Sequence, residues 1–169
     1  MKAAFATLVW LLGFAVDFQL HLQTETIDHL ELAAPVVVAP GDSVARVLEV
    51  LAAERTGAAV VVERGQLLGI FTERDALKLM ADGADLHQPV SVPMTKHPVT
   101  LRQTDTLARA ISLMAGGGFR RLPVLDPSGK LLGILKVSRI MHYLVDHFPR
   151  VIYNLPPTPH HKPASREGA

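Results

Sequence analysis

The sequence predicts an α/β (α+β) fold made of two pseudo-symmetric β-α-β-β-α units packed as one module. Three observations carry that prediction. Gly69-Ile70-Phe71-Thr72-Glu73-Arg74-Asp75 returns 64 residues later as Gly133-Ile134-Leu135-Lys136-Val137-Ser138-Arg139. Pro35-Val36-Val37-Val38 returns as Pro98-Val99-Thr100-Leu101, and Asp42-Ser43-Val44-Ala45-Arg46 as Asp105-Thr106-Leu107-Ala108-Arg109, both at an offset of 63. Within each copy, short β-branched runs alternate with stretches whose apolar residues recur at helical spacing. The copies span 34–89 and 90–148, between an apolar, helical N-terminal extension over 1–33 and a proline-rich tail over 149–169.

The elements of the first copy follow in order. Val36 to Val38 reads as a short strand, Asp42 or Ser43 as a helix cap, and Val44, Val47, Leu48 and Leu51 as the apolar stripe of the helix behind it. Gly57 is expected to end that helix through positive φ. Ala58 to Val62 and Leu67 to Phe71 are apolar runs joined by Glu63-Arg64-Gly65-Gln66, a link that suits a hairpin. Asp75 opens a second helix, which Gly83 stops. In the second copy Leu107, Ala110, Ile111 and Met114 form the helical stripe, Gly116-Gly117-Gly118 ends it, and Asp126-Pro127-Ser128-Gly129 is a turn between strands. Ile140, Met141, Leu144, Val145 and Phe148 carry the last helix. One unit cannot cover both faces of its small sheet, so pairing is expected to bury one continuous core.

Composition narrows the function classes. At 169 residues the chain suffices for one well-buried domain, and 17 Lys+Arg against 16 Asp+Glu leaves a formal charge of +1, without the basic footprint of a nucleic-acid binder. The absence of cysteine excludes disulfides, thiolate zinc sites and cysteine nucleophiles. The eight histidines include His142 and His147 on the last helix and His160-His161 in the tail, but an i, i+5 spacing does not share a helix face, and they read as surface residues. Met80, Met94, Met114 and Met141 read as core filler. No nucleophile elbow, Walker loop or His-Glu-x-x-His motif is present, and no catalysis is expected. The apolar run from Ala3 to Val16 is shorter than the roughly 20 residues that span a bilayer. It reads as a helix packed on the domain or on a partner chain, which implies a cytoplasmic protein; the minority reading is an export signal.

The repeated motif resembles the tandem cystathionine-beta-synthase (CBS) domain pair, called a Bateman module, over about Ala34 to Phe148. The family carries Gly, an apolar residue, any residue, Thr or Ser, two more residues, then Asp or Asn at the end of the third strand, and residues 69–75 satisfy each position. Arg120-Arg121-Leu122-Pro123-Val124 looks like its basic pair before a Leu-Pro-Val strand. The resemblance implies non-catalytic, regulatory binding of an adenosine-containing ligand, AMP, ADP, ATP or S-adenosylmethionine, usually in homodimers that act on another protein.

The residues support such a site physically. A carboxylate can accept both vicinal ribose hydroxyls, which suits Asp75, while the Thr72 hydroxyl and the helix N-terminus can face a phosphate. Taken alone, Asp75 is an ordinary first-turn acid and Thr72 an ordinary strand-end residue. The resemblance adds Ile70 to the ligand-binding residues and places Pro98, Val99 and Phe119 near the adenine and Arg120 and Arg121 near the phosphates, where the bland alternative for the arginines is a solvated strand edge. The second copy departs from this pattern, with Lys136 in place of the hydroxyl and Arg139 in place of the acid, while Gly57 and Ala58 stand where the basic pair would be. A cation cannot accept a hydrogen bond from ribose, so one competent site per chain is expected. Lys136 and Arg139 are either extra phosphate contacts or a solvated surface. The alternative reading of the whole chain is an interaction or dimerisation module with a vestigial cleft. The stripe from Ile140 to Phe148, wider than one intrachain contact needs, is the expected dimer face.

Overall fold

The computed structural model describes residues 18–149 and 152. The apolar run Ala3 to Val16 and the prolines beyond Pro149 lie outside them. Residues 18–24 are helical and a 3-10 turn covers Ile27–His29. The first unit follows as β1 (Val37–Val38), α1 (Val44–Ala53), β2 (Ala58–Glu63), β3 (Gln66–Thr72) and α2 (Glu73–Ala81). The second runs β4 (Thr95–Lys96), β5 (Leu101–Arg102), α3 (Leu107–Gly117), β6 (Arg121–Leu125), β7 (Leu131–Lys136) and α4 (Val137–His147). Two sheets result, ordered β1-β2-β3-β4 and β5-β6-β7, each beginning with a parallel pair and continuing antiparallel. The mixed α/β architecture with two equivalent units is the one that the repeat predicts.

Local chemistry explains the joints. The β2–β3 hairpin turns through Arg64 and Gly65, both at positive φ, the pair of left-handed residues that a two-residue turn matched to strand twist requires. In the second unit Asp126 Oδ1 accepts from Ser128 and Lys130 amides, and the Ser128 hydroxyl bond holds the Asp126 carboxyl below its usual range. Both hairpins carry a register shift at equivalent positions, Val61/Val62 and Val124/Leu125. The Ser43 hydroxyl caps α1 and that of Thr106 caps α3, while Gly118 closes α3 at φ 64. Gly57 does not end α1. The helix stops at Ala53 and the positive φ falls on Arg55; Gly57 lies instead beside the carboxylate of the exposed Glu73 side chain. α2 starts at Glu73, two residues before Asp75, because Thr72 is its cap.

The leading segment of each unit belongs to the other unit's core. Val90 N–H donates to Asp42 O at 2.7 Å, Ser91 N–H to Pro40 O at 3.2 Å, and Val44 N–H to Gln88 O at 3.0 Å. The same three bonds recur, displaced by 63 residues, as Ile27 to Asp105 at 3.0 Å, Asp28 to Gln103 at 3.0 Å and Leu107 to Glu25 at 2.8 Å. The repeat therefore reaches back to Glu25, well inside the stretch read as an extension. The exchange extends to the sheets, since β4 pairs with β3, and Ala33 exchanges backbone bonds of 2.9 and 3.0 Å with Ile134 on β7. At their far ends the hairpins meet at a bridge between Gln66 and Lys130, which are equivalent residues.

This exchange corrects the expectation of one continuous core. Two clusters form: Val38, Val44, Val47, Leu51, Val61 and Phe71 with Val90, and Leu101, Leu107, Leu122, Val124 and Leu135 with Ile27 and Leu30. It also corrects the expected dimer face. Ile140, Leu144 and Phe148 are 3–8% exposed within the single chain, because Phe18 and Leu22 pack on that cluster, with Phe18 edge-on to Phe148 at 5.0 Å. His21 Nε2 bonds the Tyr143 hydroxyl at 3.0 Å on the same helix face. Of the methionines, Met114 is buried and Met94 packs on the first core, but Met80 and Met141 are 52% and 46% exposed, on the faces of α2 and α4 turned from their cores.

Two outcomes follow. Ile27→Ala removes a fully buried side chain from the second core and should lower unfolding free energy by about 2–5 kcal/mol in urea titrations, where a solvated extension would give no change. Leu144→Glu should abolish cooperative unfolding of the chain itself, read by circular dichroism, because the charge enters an intrachain core.

Candidate functional site

The strand-to-helix corner between β3 and α2 is closed by a reciprocal cap. Thr72 Oγ1 accepts from Asp75 N–H at 3.4 Å, and Asp75 Oδ2 accepts from Thr72 N–H at 2.9 Å and from its hydroxyl at 2.7 Å. The Thr72 hydroxyl is thus turned toward Asp75 rather than left free for a phosphate. Asp75 keeps Oδ1, with both of its lone pairs uncommitted among the described residues. Both residues are half-buried, so the carboxylate is fixed in direction and still reachable.

The residues grouped with this corner take definite places. Ile70 pairs with Thr95 across the exchanged strand, and His97 N–H donates to Leu68 O at 3.2 Å, which lays the Pro98 segment along the β3 edge. Gly69 makes that approach possible, because a Cβ there would meet Met94 Sδ and Thr95 O within 3 Å. Val99 and Phe119 are 40% and 38% exposed, large apolar groups left facing solvent. Arg120 is exposed, and its carbonyl accepts from Val137 N–H at 3.0 Å, tying the start of β6 to the start of α4.

Arg121 is brought to the second corner. A narrow cleft between the sheets is lined by Val36, Thr56 and Ala58 of the first unit and by Arg121, Ile134 and Lys136 of the second. Arg121 and Lys136 stand directly opposite each other on β6 and β7. The Arg121 Nε is buried with no hydrogen-bond partner among the described residues. Arg139 points elsewhere, to Glu31 at 2.8 Å, a mostly exposed pair worth at most about 1 kcal/mol. Glu31, Thr56 and Val36 were not singled out in the sequence, although the offset of 63 places Thr56 opposite Phe119 and Val36 opposite Val99. The corner itself differs from its counterpart: Lys136 is the N-cap of α4 and makes no side-chain cap bond.

Among the described residues no three carboxylate or imidazole groups cluster as metal ligands, and no helix is long and apolar enough to cross a membrane. His142 and His147 are exposed, His147 stacking on Tyr143 at 4.1 Å; His160 and His161 lie outside the described residues.

Comparison with known proteins agrees with the pseudo-symmetric pair. The sequence pattern of the CBS domain matches residues 31–82 and 89–146. An uncharacterised 17.7 kDa protein of Acidianus ambivalens is 32% identical over 111 residues, 65% of this chain and 67% of that protein. The chain spans about half the length or less of several longer curated relatives. Among solved structures, the CBS domain protein PAE2072 of Pyrobaculum aerophilum, complexed with AMP, is 25% identical with a TM-score of 0.65 over 72% of this chain and 98% of that one. CBSX2 in complex with AMP is 27% identical with a TM-score of 0.66, over 72% and 97%. With both halves matched in sequence and the paired fold matched in structure, the chain belongs to the CBS domain family and is built as a tandem CBS pair.

Proposed function

We propose that this chain is a non-catalytic regulatory module that binds an adenosine-containing ligand at the Thr72–Asp75 corner. The observation that carries the reading is the half-occupied Asp75 carboxylate, with Oδ2 holding the helix cap and Oδ1 open. Such a group is oriented before the ligand arrives, so little side-chain entropy is lost when it accepts the vicinal hydroxyls of a ribose. The exposed Val99 and Phe119 supply apolar surface of the kind on which a purine stacks, and Pro98 the segment beside it. Arg120, exposed and next to Phe119, supplies a cation for the phosphate end. Of AMP, ADP, ATP and S-adenosylmethionine, AMP is favoured by the two relatives that hold it.

Asp75→Ala should weaken AMP binding by about 1.5–3 kcal/mol, roughly ten- to 150-fold, in calorimetric titrations, while Arg139→Ala changes it little. The same substitution removes the Asp75 half of the α2 capping box, so a denaturation curve should show a separate loss of about 1 kcal/mol. Equal AMP affinities for the wild type and Asp75→Ala would overturn the assignment.

Regulation needs a second surface, and the exposed apolar residues supply one. Leu77 and Met80 on α2 and Val137 and Met141 on α4 are 40–67% exposed, with Leu77 and Met141 equivalent at an offset of 64. A second copy of the chain would cover both helices at once through a two-fold, and a regulated protein would then read the ligand-dependent arrangement of the pair. Leu77→Glu should halve the mass found by light scattering without lowering the melting temperature; a wild-type monomer at micromolar concentration would remove this assembly.

A further inference from the structure

Both ends of the described chain leave the molecule at one place. Residues 18–24 are helical and lie against the end of α4, where Phe18 meets Phe148 edge-on at 5.0 Å and His21 Nε2 bonds the Tyr143 hydroxyl at 3.0 Å. Beyond α4, Ile152 N–H donates to Phe148 O at 3.1 Å, and the Ile152 side chain packs on the same core. The chain before Phe18 and the chain after Ile152 are therefore tethered side by side, although they stand at opposite ends of the sequence. What they carry differs. Residues 3–16 hold no charge, and Thr7 is their only polar side chain. Residues 149–169 carry Arg150, Lys162 and Arg166, with His160 and His161, against Glu167 alone.

A segment that packs on a domain buries one side and keeps polar residues on the other. α4 does this, with Ile140 and Leu144 buried and Ser138, His142 and Asp146 exposed. Residues 3–16 have no polar side to leave in water. The nearby face of α4 is already occupied by Phe18 and Leu22, and Leu20, 57% exposed, continues apolar surface outward from it. We propose that residues 3–16 insert into one leaflet of a lipid bilayer and that the cations of the tail hold its anionic headgroups beside them. Lipid covers an apolar segment on all sides, where a protein face covers it on one. The run is shorter than the roughly 20 residues that span the hydrocarbon, so it is seated from one side of the bilayer. One such insertion is reversible, and an added electrostatic contact is what makes attachment stable. The Phe18–Phe148 contact brings the two together at one spot. None of these residues belongs to the Asp75 corner, so attachment and AMP binding are separable.

Trp10 is the only tryptophan of the chain, so its emission reads the run directly. With the full chain and vesicles of equal parts phosphatidylcholine and phosphatidylserine, the protein should float with the lipid and Trp10 emission should move to shorter wavelength. Leu11→Glu should weaken partitioning by at least about tenfold. Lys162→Glu together with Arg166→Glu should weaken it several-fold on these vesicles and leave it unchanged on phosphatidylcholine alone. Neither variant should change the melting temperature or the affinity for AMP, which marks the loss as one of lipid contact. Three results would overturn the proposal: a full chain that stays in the aqueous phase, a Leu11→Glu variant that floats as well as the wild type, or a Trp10 emission already short in buffer and unmoved by vesicles, the sign of a run covered by the domain or by a second copy. Protein from its own host whose mass lacks residues 3–16 would do the same. Unchanged flotation of the double tail variant would overturn the role given to the tail.

Discussion

The structure depends on the exchange of leading segments between its two units. Ile27 and Val90 are both fully buried, Ile27 in the core of the distant second unit and Val90 in that of the first unit, which it directly follows. Each also satisfies a backbone carbonyl at the entrance of that unit's first helix, Asp105 or Asp42. Apolar burial and hydrogen-bond satisfaction therefore act at the same residue. Neither β-α-β-β-α unit has a closed core without these segments, Ile27 and Leu30 for the second and Val90 for the first.

Against that symmetric frame the two corners have diverged in charge. One carries Thr72 and Asp75, the other Lys136 and Arg139, on equivalent strands ending in equivalent helices. The backbone preserves the strand-to-helix corner at both, while the side chains decide what each can accept. An open carboxylate oxygen can accept hydroxyl donors, which neither a lysine nor an arginine can do. The division requires no change in fold, only two substitutions at helix N-termini.

Much of this was legible in the sequence because the periodicities are strong. The repeated glycine motif, the Arg64-Gly65 turn and the Asp126 turn each have a local cause and appear where the residues put them. The exchange was not legible from apolar patterning, because the identity of residues 25–30 with 88–93 is low and their equivalence lies in backbone bonds, which any sequence can make. The same blindness misled the reading of the last helix. Ile140, Leu144 and Phe148 looked unpartnered only because Phe18, Leu22 and Ile27 had not been assigned to them. At the site, Asp75 and Thr72 were identifiable from spacing, but their mutual bonding was not, since a capping box and an open ligand pair share one sequence pattern. Arg121 shows the other limit: adjacency to Arg120 suggested a joint role, whereas Arg120 precedes β6 and is exposed while Arg121 begins the strand and lines the cleft.

The crossing of segments has a bearing on how the chain is made. Residues 25–30 leave the ribosome early, yet the strands and helices they complete end near Phe148, more than a hundred residues later. At typical elongation rates that interval is roughly 6–25 s. The first unit can close as soon as Val90 emerges, so Ile27 and Leu30 have no core to enter until the residues of 101–148 follow. The nascent protein is most vulnerable to aggregation in that window, and its yield in a cell depends on the pace of translation and on chaperones that hold short hydrophobic segments.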